Sequence, residues 1–167
     1  IPFYDESGGG VTFSGGEPLF QLGFLLALLR ACKEKEIHTA VDTCGFVTWG
    51  TLDSIREHVD LFLYDLKLMD DARHRKFTGV SNELILKNLQ TLSQRGHHID
   101  LRVPIIPGIN DDDENIRQTG AFAAALPRLN RVDILPYHHA ALEKYNRLNK
   151  VYRLPEIRPP SDERTAE

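Results

Sequence analysis

The sequence predicts an α/β fold of about five parallel strands with flanking helices, and three observations point there. Five short segments rich in β-branched and apolar residues recur, at Val11 to Ser14, His38 to Thr43, Leu61 to Leu66, Ile99 to Ile105 and Val132 to Leu135. Most are followed by a longer stretch of helical character, and strand alternating with helix is the pattern that joins parallel strands through helical crossovers. A chain of 167 residues suits one domain, and 41% hydrophobic with 26% charged residues is a globular mixture.

In chain order, the first strand runs into Ser14-Gly15-Gly16-Glu17 and then a helix from Pro18, where the first turn has no use for the missing N–H. Lys33 to Glu36 closes that helix with solvated charge. The second strand ends in Asp42-Thr43, ahead of a helix from Thr48. The third, LFLYDL, is apolar with little alternation, which suits a strand covered on both faces, and it ends in Asp65 with Lys67 nearby. Helices from Asp70 and Asn82 follow, then a fourth strand containing Arg102. Asn110 and Asp111 to Asp113 offer capping oxygens and negative charge to the next helix; the run lacks the glycine and terminal Glu of a calcium loop, so a cap is expected. The fifth strand leads to Tyr137-His138. From Pro155 to Glu167 the chain carries Pro159-Pro160 and little apolar content, so an extended tail is expected, although Ser161-Asp162-Glu163 also fits a helix start.

Composition excludes several classes. The longest apolar stretch, Leu22 to Leu29, is far short of the roughly 20 residues a membrane span needs, so a soluble protein with no membrane partner is expected. Twenty Lys and Arg against 24 Asp and Glu leave a formal charge of −4, without the basic block that nucleic-acid binding demands. Two cysteines, Cys32 and Cys44, make no disulfide framework and fit a reducing, cytoplasmic setting. The first residue is Ile1 rather than Met, so a sequence processed or cut from something longer is expected.

The informative pattern is positional. Nearly every strand delivers a polar group at its C-terminal end: Ser14 to Glu17, Asp42-Thr43, Asp65 with Lys67, and Tyr137-His138. In a parallel βα array these ends share one face, where barrel and doubly wound enzymes alike keep their sites. The glycine-rich stretch is neither a dinucleotide fingerprint nor a P-loop, because Phe13 stands where the third glycine is required and Gly15 is followed by Gly16-Glu17 rather than Lys-Ser. Exposed backbone at Gly15-Gly16 with Glu17 beside it suits a small polar ligand bearing an ammonium; a tight βα turn with a capping Glu suits the same residues. Asp42 and Asp65 end adjacent strands, where repulsion calls for a proton, Lys67 or a bound cation, unless each is separately hydrogen-bonded. Arg102 points either into the same cavity or among core carboxylates. His97-His98 are read as strand neighbours facing opposite sides, and His38, His58 and His74 as surface positions, so among the histidines only His138 falls where the other groups converge. No Cys/His spacing suits zinc; Cys32 reads as helix packing, and Cys44 is a lone thiol without an evident base.

Five motifs, GGGVTFSGGEPLFQ, VDTCGF, LYDLKLMD, RVPIIPGIND and ILPYHHAALEKY, together resemble the glycyl-radical-enzyme activating enzymes, the radical SAM group that includes the pyruvate formate-lyase activator. The resemblance runs from about Phe3 to Pro160. It implies an incomplete, TIM-like βα barrel and S-adenosyl-L-methionine (SAM) as cofactor, with Gly15, Gly16 and Glu17 on its amino group. It also implies a monovalent-cation site at Asp42, Thr43 and Asp65, and contact with SAM or the reacting centre at Lys67, Arg102 and His138. The family's 4Fe-4S cluster sits in a Cys-x3-Cys-x2-Cys loop upstream of GGE, and neither Cys32 nor Cys44 matches it. The FYDESGGG opening resembles members with a ferredoxin-like insertion, so the expectation is a partial barrel lacking its first strand and cluster loop, inactive alone. The complete protein would cleave SAM reductively and abstract hydrogen from a glycine of a partner enzyme, drawing electrons from a flavodoxin or ferredoxin. Other readings are a radical SAM enzyme with another substrate, a cluster-free partner-binding module, and a metal-dependent hydrolase on the paired aspartates.

Overall fold

Five strands form, all parallel and in chain order. A computed structural model describes residues 2–138, 145, 147, 149, 151, 152, 154 and 156–160. Strands β1 (Gly10–Phe13), β2 (His38–Thr43), β3 (Leu61–Asp65), β4 (Ile99–Ile105) and β5 (Leu129–Pro136) make one sheet in that spatial order. Helix α1 (Pro2–Ser7) precedes it, and α2 (Leu22–Glu34), α3 (Trp49–Ile55), α4 (Asp71–Thr78), α5 (Glu83–Gln94) and α6 (Asp113–Ala124) occupy the crossovers. A strand order that never reverses is barrel winding, which settles the choice against a doubly wound sheet.

Side-chain alternation divides the sheet into two faces. On one, Val41, Phe62, Tyr64, Ile99 and Leu101 pack with Leu29, Leu52, Ile55, Leu89 and Leu92 from α2, α3 and α5 into a single core. The other face carries Asp42, Leu63, Asp65 and Arg102, none fully buried. LFLYDL is therefore covered on one face only, with Phe62, Tyr64 and Leu66 inside and Leu61, Leu63 and Asp65 half-buried opposite them. Register puts Asp65 directly across from Arg102, and Asp42 across from Leu63, one pleat short of Asp65.

Several boundaries differ from the sequence reading, each for a local reason. Pro18 opens a 3-10 turn, Pro18–Gln21, closed by Phe20 N–H on the Glu17 carbonyl at 3.2 Å, and the α-helix starts only at Leu22. β5 begins at Leu129, which pairs with Ile99, and a register shift between Ile99 and Asp100 leaves one extra residue in the fifth strand. The helix α1 has no counterpart in the sequence reading. His97 and His98 precede β4 rather than lying in it: His97 stands edge-on to Phe62 and His98 bonds Asn130. His74 is 2% exposed, not a surface residue, with Nδ1 2.7 Å from the Val80 carbonyl where the chain turns back after α4. His58 is half-buried and His38 exposed. The acidic run does cap: Asp112 accepts from Asn115 N at 3.1 Å at the start of α6, and Asp111 accepts from Gly108 N at 2.7 Å. No helix among the described residues is long and apolar enough to cross a membrane. Residues 161–167, with the end of the expected tail and the alternative helix at Ser161-Asp162-Glu163, lie outside the described residues.

Candidate functional site

The C-terminal ends of β1 to β4 surround a polar cavity of about 320 Å³, lined by Ser14 to Glu17, Asp42 to Cys44, Asp65, Lys67 and Arg102. Three carboxylates face two cations there, so one carboxylate is in excess.

The two aspartates are bridged. Arg102 Nη2 donates to Asp42 Oδ1 and, at 2.8 Å, to Asp65 Oδ1, while its Nε reaches Asp65 Oδ1 at 3.0 Å. Lys67 Nζ donates to the other Asp65 oxygen at 3.3 Å, and Ser14 Oγ to Asp42 Oδ2 at 2.7 Å. The sequence left Arg102 two destinations; it takes the first, lining the cavity, and the carboxylates it neutralises are the cavity's own rather than core ones. Burial alone would lower its pKa, but the Asp65 and Asp42 carboxylates outweigh that and hold the guanidinium above its ordinary value.

Glu17 is fixed from two sides. Its Oε1 accepts from Thr43 Oγ1 at 2.8 Å and from Leu19 N at 3.3 Å; its Oε2 accepts from Cys44 N at 3.0 Å and from the Cys44 thiol at 3.2 Å. One carboxylate thus caps the Pro18 turn and ties it to the end of β2. Burial pushes the Cys44 thiol up, with the neighbouring Glu17 adding to it, so it serves here as a donor rather than a thiolate. This bracing by Cys44 was not legible in the sequence, where the residue showed only as a lone thiol.

The glycines of the DTCGF and SGGE segments have opposite surroundings. A Cβ at Gly45 would stand 1.6 Å from the Tyr64 hydroxyl, and φ is +68°, so the turn after β2 admits only glycine. Tyr64 is in turn anchored by its hydroxyl on the Ile85 carbonyl at 2.8 Å. A Cβ at Gly15 or Gly16 would meet nothing within 4 Å, which leaves their backbone open to the cavity. That open backbone, with a braced carboxylate and two cations around it, fits the zwitterionic methionine end of SAM.

The other expected residues fall as follows. His138 is exposed, just past β5, and is not among the residues lining this cavity; the neighbouring Tyr137 N–H reaches the Ile105 carbonyl at 2.9 Å. Between Asp42 and Asp65, where the resemblance implies a monovalent cation, the positive charge is the Arg102 guanidinium. Cys32 lies half-buried on α2 and Cys44 past β2, and among the described residues no three His, Cys, Asp or Glu are grouped to hold a metal. The cysteines present do not fit an iron–sulfur cluster.

Fold and cavity together define a βα-barrel scaffold with a charge-dense site at the C-terminal ends of its strands. Comparison with known proteins makes this specific. The radical SAM superfamily model matches residues 3–119. The chain is 44% identical over 167 residues to the trans-4-hydroxy-L-proline dehydratase activating enzyme of Clostridioides difficile, covering 99% of this chain and 55% of that protein. It is 38% identical over 172 residues to the pyruvate formate-lyase-activating enzyme of Staphylococcus epidermidis, covering 99% of this chain and 68% of that protein. A crystal structure of a domain of pyruvate-formate lyase-activating enzyme from Bacteroides vulgatus superposes with a TM-score of 0.78 at 37% identity, over 95% of this chain and 89% of that one. The chain belongs to the glycyl-radical-enzyme activating enzymes of the radical SAM superfamily. It spans about half the length of several curated relatives, with 55%, 50% and 50% of three of them covered.

Proposed function

We propose that this chain supplies the SAM-binding part of a radical SAM activase that generates a glycyl radical on a partner enzyme. The observation that supports it most is the polar cavity itself: GGE, DT, DLK and the β4 arginine, motifs of the resemblance, come from four strands and line one space. SAM carries an ammonium and a sulfonium beside one carboxylate, so a site with one carboxylate in excess and two cations complements its charges. In this reading Gly15 and Gly16 present open backbone to the ammonium, Glu17 keeps that backbone in place, and Lys67 and Arg102 face the carboxylate. Asp42, Thr43 and Asp65 hold a monovalent cation only when Arg102 turns away from the aspartates. His138 borders the reacting centre from the β5 side. When bound, SAM and a 4Fe-4S cluster supply a one-electron reductive cleavage that ends in hydrogen abstraction from a glycine of the partner. The cluster ligands then belong to sequence outside these 167 residues, and a flavodoxin or ferredoxin serves as electron donor in the cytoplasm.

The test is electron paramagnetic resonance of the full-length, cluster-reconstituted protein mixed with SAM, reductant and candidate glycyl radical enzymes. A glycyl doublet on one of them is expected. SAM cleavage without a glycyl signal on any candidate would remove the activase reading and leave a radical SAM enzyme with another substrate.

A further inference from the structure

β3 ends at Asp65, yet the site's second cation sits two residues beyond it. Leu66 and Leu68 are 1% and 2% exposed, so alternation turns Lys67 to the opposite side. There, among the described residues, Lys67 alone lines both the polar cavity and a larger one of about 970 Å³ bordered by Pro104, Ile106 and Ile109. What holds the backbone here is a set of three asparagine side chains, 2%, 2% and 3% exposed: Asn82, Asn110 and Asn115.

Asn82 Nδ2 donates to the Leu68 carbonyl at 3.0 Å and the Met69 carbonyl at 2.7 Å. Asn115 Oδ1 accepts from Met69 N at 3.0 Å, and its Nδ2 donates to the Asn110 carbonyl at 2.9 Å. Asn110 is the member that reaches Lys67. Its Nδ2 donates to the Lys67 carbonyl at 2.8 Å and the Pro104 carbonyl at 2.6 Å, and its Oδ1 accepts from Ile106 N at 2.6 Å. A carboxamide suits this place because it offers donors and an acceptor without charge, and the two carbonyls need donors. Asn110 therefore clamps the chain after β3 to the end of β4, two residues past Arg102. It belongs to the acidic segment read from sequence as a helix cap, but it caps nothing: Asp112 does that.

We propose that Asn110 is a positioning residue whose buried carboxamide fixes the Lys67 backbone, so that the ammonium stands between the two cavities and SAM binding depends on Asn110 through Lys67. The inference rests on the SAM-binding reading above and deepens it.

Two measurements on the full-length protein test it. The first is a double-mutant cycle on SAM affinity by equilibrium dialysis, with Asn110→Ala, Lys67→Met and the pair. Each single change is expected to weaken binding on the order of tenfold, the factor carried by one lost charge-assisted hydrogen bond, and the pair to bind no worse than Lys67→Met alone. Affinity unchanged in Asn110→Ala, or a full further loss on the Lys67→Met background, overturns the proposal, since a residue that merely supports the fold weakens both backgrounds alike. Should Asn110→Ala fail to fold, Asn110→Ser keeps an uncharged hydroxyl that can satisfy at most one of the two carbonyls, and the same pattern is expected of it. The second measurement needs no SAM: the rate of reductive methylation at Lys67, read by mass spectrometry, rises several-fold in the Asn110 variant as the ammonium leaves Asp65, and an unchanged rate overturns the proposal. Wild-type protein that binds no SAM overturns the proposed function, while the methylation rates still decide whether Asn110 positions Lys67.

Discussion

The three inner strands and the two outer ones differ in how firmly they hold what they carry. Val41 on β2, Phe62 and Tyr64 on β3, and Ile99 and Leu101 on β4 have no exposed surface, whereas Val132 and Ile134 on β5 are 42% and 52% exposed. The inner strands are also the ones that carry Asp42, Asp65 and Arg102. Charges that must stay close despite repulsion, or despite the loss of hydration, are mounted where the backbone has least freedom. Such placement gives a ligand fixed dipoles and charges that need no rearrangement. His138, by contrast, follows an exposed outer strand and is not among the residues lining the cavity.

The largest effect expected from this contrast is in stability. Leu101→Ala removes a fully buried side chain from an inner strand and should cost about 3–4 kcal/mol, while Ile134→Ala on β5 should cost under about 1 kcal/mol. Urea denaturation of the two variants measures both, and similar losses would erase the distinction between inner and outer strands. Next comes Arg102→Met, which leaves the two facing carboxylates with only Lys67 and Ser14 as partners and should cost about 2 kcal/mol; adding Asp42→Asn should recover part of the loss. The same denaturation series reads the recovery, and a strictly additive pair would mean that Arg102 does not offset Asp42.

The glycines sharpen the contrast further. Gly45→Ala drives a methyl group into Tyr64 at a positive φ and should cost about 2 kcal/mol or more. Gly16→Ala meets open space and should leave the melting temperature nearly unchanged while weakening SAM binding, because the new methyl group stands in the ligand's approach. The smallest effect concerns pH. Burial alone would raise the Asp60 pKa, but the Lys33 hydrogen bond and those from Thr39 N and Oγ1 outweigh it and hold the carboxyl below its ordinary value. A depressed folded-state pKa gives stability that is present above the unfolded value, about 3.9, and lost as pH falls through the folded one. Melting temperatures should therefore drop less below about pH 4 in Asp60→Asn than in the wild type.

The fold was largely legible because hydrophobic runs and their turn residues repeat in a fixed order, and because parallel strands must send their C-terminal ends to one face. That geometric constraint alone places Glu17, Asp42, Asp65 and Lys67 on one face. It could not say which cation would bridge the two aspartates, since that depends on β3–β4 register, where Asp65 stands opposite Arg102. Nor could it find the roles of Cys44 and Asn110. Cys44 donates to the Glu17 carboxylate 27 residues away and Asn110 to the Lys67 carbonyl 43 residues away, and such long-range partners leave no local pattern. The acidic run illustrates the limit: Asp112 obeys the capping rule, whereas Asn110 beside it is buried and serves another strand.

The most direct test of the central claim, that side chains from separate strands meet to form a SAM site, is a crystal structure of the full-length protein with SAM bound. The methionine ammonium is expected against Gly15 and Gly16, with its carboxylate within hydrogen-bonding reach of Lys67 or Arg102. SAM seated away from the ends of β1 to β4, with Gly15 and Gly16 untouched, would contradict it.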